Sequence, residues 1–194
     1  IDVVSLPGDP SICRRIGTHL TLKKDVINND GGNALAADWT LAWSGPSNNS
    51  GPGPMVSSAV TSGTYVLAES GGPTGYSASN WVCKGASQAQ PDPSTVIVGV
   101  DEDVTCTITN DDIAPTLTVF KTIINDHGGP YTDPNSFDLR IDDIIVSHNF
   151  PNIVDVGDHT VTENSFPGFY LPGTWGGDCD AAGNITLPLG QNAT

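Results

Sequence analysis

The chain repeats itself, and that constrains its fold more than any other feature. Leu20–Gly32, reading LTLKKDVINNDGG, returns as Leu117–Gly129, reading LTVFKTIINDHGG. An aromatic segment follows each copy: Asp38–Leu41 (DWTL) and Ser136–Leu139 (SFDL). Gly63–Glu69 (GTYVLAE) matches Gly157–Glu163 (GDHTVTE), and the Trp81/Cys83 pair matches Trp175/Cys179. Val96–Thr105 then aligns without a gap on Ile185–Thr194. A fixed order of landmarks at this spacing means two copies of one supersecondary unit.

The unit is built of strands. Thr, Val, Ile and Leu dominate the apolar set, apolar and polar residues alternate, and 22 Gly and 15 Pro punctuate the 194 residues. The Asn-Asn-Asp-Gly-Gly and Asn-Asp-His-Gly-Gly runs are turns, because these residues tolerate left-handed backbone. No amphipathic helix of useful length is expected. The predicted architecture is all-β, with two tandem antiparallel sandwiches of about seven short strands each. The predicted boundaries are an N-terminal extension at 1–19, repeat one at 20–112 and repeat two at 113–194. The linker lies at Asp111–Thr116, where Pro115 interrupts the strands.

Charge narrows the partners. Seven Lys and Arg face 22 Asp and Glu, a net charge of −15. Nucleic acid and anionic membranes both need cationic surface, so neither is an expected partner. No apolar run is long enough to insert in a bilayer. Ile1 reads as a processed or trimmed start. No phosphate loop, nucleophile–His–acid set or paired catalytic carboxylates can be placed, so no enzyme and no cofactor are expected. The histidines (His19, His127, His148, His159) are scattered, and His159 stands where repeat one has Tyr65, as a packing or surface residue. The acidic runs Asp101–Asp103, Asp111–Asp112 and Asp142–Asp143 read as solvated turns; without a DxDxDG loop they make no calcium site. No metal ligand set is expected. Trp39, Trp43, Trp81 and Trp175 read as core or sheet-face aromatics. Asn48, Asn184 and Asn192 head glycosylation sequons.

Cys13, Cys83, Cys106 and Cys179 form no CxxC pair, which argues for disulfides in an oxidising compartment rather than zinc.

Alternation sets the faces of the strands. Leu20, Leu22, Lys24 and Val26 share one face, as do Leu117, Val119, Lys121 and Ile123. Tyr65, Leu67 and Glu69 share another, as do His159, Val161 and Glu163. Val104, Cys106, Ile108 and Asn110 share a third. One Lys, one Glu and one Asn therefore carry core parity in repeat one. Burying such charges unpaired is costly. Three arrangements meet that cost: the charges reach solvent at strand ends, they form a buried ion pair with the Asn as hydrogen-bond partner, or the amine attacks the Asn side-chain carbonyl to form an isopeptide bond.

Lys near the end of the first strand, G-x-Y-x-L-x-E in a middle strand and Asn in a T-x-T-N last strand resemble the prealbumin-like, SpaA-type repeat domains of bacterial surface proteins and pilins. The resemblance spans residues 20–194. It implies Lys24 as nucleophile, Asn110 as acceptor and Glu69 as catalytic acid, an autocatalytic cross-link rather than an enzyme. Lys23 is set aside on parity. Lys121 and Glu163 are the repeat-two equivalents, and the matching Asn position lies past Thr194. Cys83 and Cys106 then pair within repeat one, tying the last strand to the preceding hairpin.

Repeat two carries every landmark except its closing strand. Either the polypeptide continues with one, or a neighbouring copy supplies it by β-addition. Ile1–Pro7 or Ser11–Ile16 is the expected donor, with Cys13 bonded to Cys179 of the next molecule. Such a contact does not close on itself and builds a head-to-tail polymer of the chain with itself. The function implied is an extracellular structural protein, a subunit or segment of a bacterial surface filament or stalk. The alternative is an adhesin-type binding module, with the Ser44–Ser58 segment, rich in Gly, Pro, Ser and Asn, as its contact loop.

Overall fold

The computed structural model describes residues 17–194, and of the first sixteen only the strands Val3–Val4 (β1) and Arg14–Arg15 (β2), which pair antiparallel with each other. Among the described residues the regular structure is almost entirely β, and two short 3-10 turns, Ala36–Asp38 and Pro134–Phe137, sit at matching places in the two repeats.

Contacts divide the molecule into two compact units. One holds residues 1–28, 33–73 and 77–111; the other holds 29–32, 74–76 and 112–194. Repeat one contributes β3 (His19–Ile27), β4 (Trp39–Ser44), β5 (Asn49–Pro52), β6 (Met55–Ala59), β7 (Gly63–Gly71), β8 (Tyr76–Ala78), β9 (Val82–Lys84), β10 (Thr95–Val98) and β11 (Asp103–Asp112). These form one sheet in the order β10-β7-β4-β5 and a second in the order β6-β3-β11-β8, with β9 also paired to β11. The repeat therefore has more strands than alternation in the sequence predicts. The difference lies partly in Ser44–Ser58, which folds largely as β5 and β6 instead of a long loop.

Repeat two contributes β12 (Thr116–Thr118), β13 (Arg140–Ile141), β14 (Ile144–Ile145), β15 (Pro151–Ile153), β16 (Gly157–Thr162), β17 (Asn184–Leu187) and β18 (Asn192–Ala193). Their orders, β14-β13-β16-β17 and β15-β12-β18, match β5-β4-β7-β10 and β6-β3-β11 of repeat one, without counterparts of β8 and β9 among the described residues. The register is shared too. Val96 lies opposite Tyr65, and Ile185 lies opposite His159. β11 runs parallel to β3 with Val104 opposite Leu20, and β18 runs parallel to β12 with Ala193 opposite Leu117.

Each repeat buries the face that alternation assigns. Leu20, Leu22, Leu41, Trp43, Tyr65, Leu67, Val96, Val98, Val104, Cys106 and Ile108 make the first core; Leu117, Val119, Phe137, Leu139, Ile141, Val161, Ile185 and Leu187 are in the second. The middle strands β7 and β16 both open on glycine. Gly63 and Gly157 hold φ of +154° and +132°, a region that a Cβ disfavours.

Asp112 departs from the sequence reading. It is buried rather than solvated, and its carboxylate accepts the backbone N–H groups of Asn29, Asp30 and Gly32, at 2.9, 3.0 and 2.6 Å. The Asn-Asn-Asp-Gly-Gly turn is thus organised by a side chain about eighty residues away in sequence.

Candidate functional site: a buried Lys–Glu–Asn set

β3 carries Lys24 to the buried face two residues beyond Leu22, as parity requires, and the residue is 2% exposed. The strand that brings it is long enough (nine residues) to extend past the last aliphatic side chains of the core. From β7 in the opposite sheet, Glu69 projects inward after Tyr65 and Leu67. Lys24 Nζ lies 2.7 Å from Glu69 Oε1, with side-chain exposures of 0% and 10%. Neither charge reaches solvent by extending along its strand. Lys23, on the other face, is exposed and pairs with Asp25 at 3.0 Å.

Asn110 sits on β11, the parallel neighbour of β3. Ile108 is opposite Lys24 and Asn110 is opposite Val26, so Asn110 shares the buried face two residues further along. It is 3% exposed. Among the described residues, Asn110 Oδ1 has no hydrogen-bond partner. Lys24 Nζ and Glu69 Oε1, though in ionic contact, also lack a well-directed hydrogen bond. Lys24 and Glu69 satisfy each other as an ion pair, which leaves Asn110 Oδ1 as the unpartnered buried atom of the three, and such groups are nearly always satisfied.

The surroundings weaken the charge on the amine. Burial pushes the Lys24 pKa below its ordinary value, against the upward pull of Glu69 and Asp25. The indole of Trp39 lies under the amine, 4.6 Å from Nζ to the ring centroid. The sequence marks Trp39 and Phe137 as equivalent aromatics but gives no sign that they face the lysines. Phe137 does the same for Lys121, also at 4.6 Å.

In repeat two Lys121 and Glu163 form the corresponding pair, at 2.7 Å, but with side-chain exposures of 15% and 19%. β18 pairs with β12 at Thr116 and Leu117. Beside the rest of β12 runs a groove of about 300 Å³, lined by Val119, Phe120, Val161, Trp175, Cys179 and Thr194.

Cys83 and Cys106 face each other on β9 and β11 and are joined by a disulfide. Cys179 is unbonded among the described residues, and burial, reinforced by Asp178 and Asp180, pushes its thiol pKa up. Cys13, and with it the predicted Cys13–Cys179 bridge and the Ile1–Pro7 and Ser11–Ile16 donor segments, lies outside the described residues apart from the backbone of β1 and β2. Among the described residues no three His, Cys, Asp or Glu side chains gather as a metal site. No helix there is long and apolar enough to cross a membrane.

Residues 16–108 match the family model of the prealbumin-like fold domain, SpaA_2. The first repeat is a prealbumin-like domain. The match covers the segment that carries Lys24 and Glu69 and stops two residues short of Asn110. Domains of this type belong to bacterial surface proteins. The second repeat, outside the match, sets its seven strands in the order of their counterparts in the first. Among solved structures the chain is similar to the Bacillus anthracis TIE protein, at 14% identity and a TM-score of 0.44 over 90% of this chain and 32% of that one. The chain thus spans about a third of that protein's length. No curated protein matches it in sequence.

Proposed function

We propose that the chain is an extracellular structural segment of a bacterial surface stalk or filament, stiffened by an intramolecular isopeptide bond between Lys24 and Asn110. The observation that carries this reading is the buried Lys24–Glu69 pair with the unpartnered Asn110 carbonyl on the adjacent parallel strand.

The chemistry follows from the setting. Glu69 takes a proton from the Lys24 ammonium, and the free amine attacks Cγ of Asn110. The carboxylic acid then hydrogen-bonds to Oδ1 as negative charge gathers there. Glu69 relays the proton to the departing nitrogen and takes up the second proton of the attacking nitrogen, the Cγ–Nδ2 bond breaks, and ammonia leaves, with Glu69 left as the carboxylic acid. Low dielectric favours the neutral amine and strengthens the polarising hydrogen bond. The bond joins β3 to β11, the first and last strands of the repeat, so pulling on the chain ends loads a covalent link.

Assembly is the finer part of the proposal. A strand from a neighbouring copy lies in the groove beside β12, in the register that β11 takes beside β3, and Cys13 of that copy bonds to Cys179. Two things support this: the groove is lined by the second-repeat equivalents of residues that contact β11, and Cys179 is the equivalent of disulfide-bonded Cys83. The adhesin alternative rested on a long Ser44–Ser58 loop, and that segment is largely strand.

Intact-mass measurement after reduction tests the cross-link. The native chain is expected to weigh one ammonia less than its sequence, and Lys24→Ala to regain the full mass expected for its sequence. A native chain at full mass would remove the bond from the proposal.

A further inference from the structure

Tyr65 and His159 occupy the same slot in the two repeats, opposite Val96 and Ile185 respectively. Both reach back to the carbonyl four residues earlier: the Tyr65 hydroxyl to Thr61 at 2.6 Å, His159 Nε2 to Asp155 at 2.7 Å. The phenol satisfies this carbonyl with its single O–H. The imidazole has a second nitrogen, and Nδ1 meets a second acceptor, Asp142 Oδ2, at 2.5 Å. A neutral imidazole has one N–H and cannot donate to both. Only the imidazolium satisfies both contacts.

The carboxylate is held in place independently. Asp142 Oδ1 accepts the Thr160 amide at 2.9 Å, and the Asp142 amide donates to the Thr160 carbonyl at 3.0 Å. Asp142 and Asp143 form the two-residue turn between β13 and β14, with φ of +49° and +69°, as tight hairpins need. His159 is 7% exposed while the Asp142 side chain is 45% exposed, so a buried ring ties a solvent-facing turn to the β15–β16 connection.

We propose that His159 is a pH-operated lock in the second repeat, closed as an imidazolium across Asp142 and the Asp155 carbonyl and released when the ring loses its proton. The charged groups facing the ring are the carboxylates of Asp142 and Asp155. Ile144, Val146 and Asn152, which share its cleft, are uncharged. Asp158 turns to the other face and accepts from Thr186 Oγ1, and Arg140 is engaged with the Asp143 carbonyl.

Burial alone would lower the His159 pKa, but the Asp142 and Asp155 contacts outweigh it and hold it above the ordinary value. Asp142 is held below its ordinary value despite burial, chiefly by His159 and the Thr160 amide. A raised histidine contributes stability that is complete below its unfolded pKa and is lost as pH rises through the folded pKa. A lowered aspartate contributes stability that is lost as pH falls through its folded pKa. The lock is therefore closed through the mildly acidic range and opens on the alkaline side of the ordinary histidine pKa. Opening frees the turn leading into β14, an edge strand of its sheet.

Long-range proton–nitrogen NMR correlations on the ¹⁵N-labelled chain test the lock, with His159→Tyr assigning the signal. At mildly acidic pH both ring nitrogens are expected to carry protons, and the ring to titrate above its ordinary value. The protection of the Asp142 and Thr160 amides against hydrogen exchange should fall through the same midpoint, by up to about ten-fold per unit of the raised pKa. Asp142→Asn should move the midpoint down. His159→Tyr, which keeps the carbonyl contact, should abolish the step in amide protection. A single neutral tautomer at mildly acidic pH, a titration at or below the ordinary value, or a step that survives His159→Tyr would overturn the proposal. The native-chain titration decides it by itself if the variants do not fold.

Discussion

Lys24 Nζ and Glu69 Oε1 stand 2.7 Å apart, on opposite sheets of one sandwich and shielded from water. A buried pair of this kind adds little stability over an apolar pair of similar size, because desolvation offsets the attraction. Asn110, on the same buried face of the adjacent strand β11, has no hydrogen-bond partner for its Oδ1 among the described residues.

Glu69→Gln preserves the size of the side chain and removes its ability to take up and return a proton. The variant should fold and keep the mass expected for its sequence, with the Lys24–Asn110 bond unformed. Mass spectrometry of reduced material reads this directly, and a Glu69→Gln chain lighter by one ammonia would show that Glu69 is not needed.

The two lysines should differ in their sensitivity to substitution. Lys24→Met leaves the Glu69 side chain buried without its partner, a cost of about 3–5 kcal/mol, and also removes the proposed cross-link, so the total loss should be at least that. Lys121→Met should cost about 1 kcal/mol, because that pair is partly solvated. Denaturant melts of both variants compare the two costs.

Cys83 and Cys106 close a loop with a sequence separation of 23. Chain entropy puts the stabilisation at about 3 kcal/mol. The Cys83→Ala/Cys106→Ala double variant should lose about that much, and reductant should then have no further effect on the first repeat's unfolding midpoint.

Asp112→Ala strips the acceptor from three backbone N–H groups of the Asn28–Gly32 turn. The expected loss is about 2–3 kcal/mol. Hydrogen exchange should place it at the amides of Asn29, Asp30 and Gly32, and Asp112→Asn should recover part of the protection through its remaining carbonyl.

Cys179 is half-buried between two aspartates, and its raised pKa keeps the thiolate scarce at neutral pH. Alkylation should be slower than for an ordinary free thiol and should accelerate as the medium becomes alkaline. Non-reducing electrophoresis of native material tests the proposed bridge. A ladder that collapses with reductant and is lost in Cys179→Ser supports head-to-tail bonding; a clean monomer removes the covalent form.

Much of this arrangement is legible before folding. Period-two alternation places Lys24, Glu69 and Asn110 on core faces, because a strand has only two faces and the aliphatic neighbours name the inner one. The repeat doubles the information, since each landmark is seen twice in one register. The Cys83–Cys106 pairing follows from the strands that carry the two residues.

What alternation cannot give is which neighbour each inward group meets. Asp112 looks like a turn residue until β11 carries it to the Asn29–Gly32 amides. His159 looks like a packing residue until the β13–β14 turn sets Asp142 against its second nitrogen. Parity also treats Lys24 and Lys121 alike, yet the first is dry and the second partly wet. The sequence by itself determined the repeat, the faces and the residue types at the buried site. The tertiary structure alone decided solvation and partnership, because both depend on what distant segments lay over a face, and local periodicity carries no record of that.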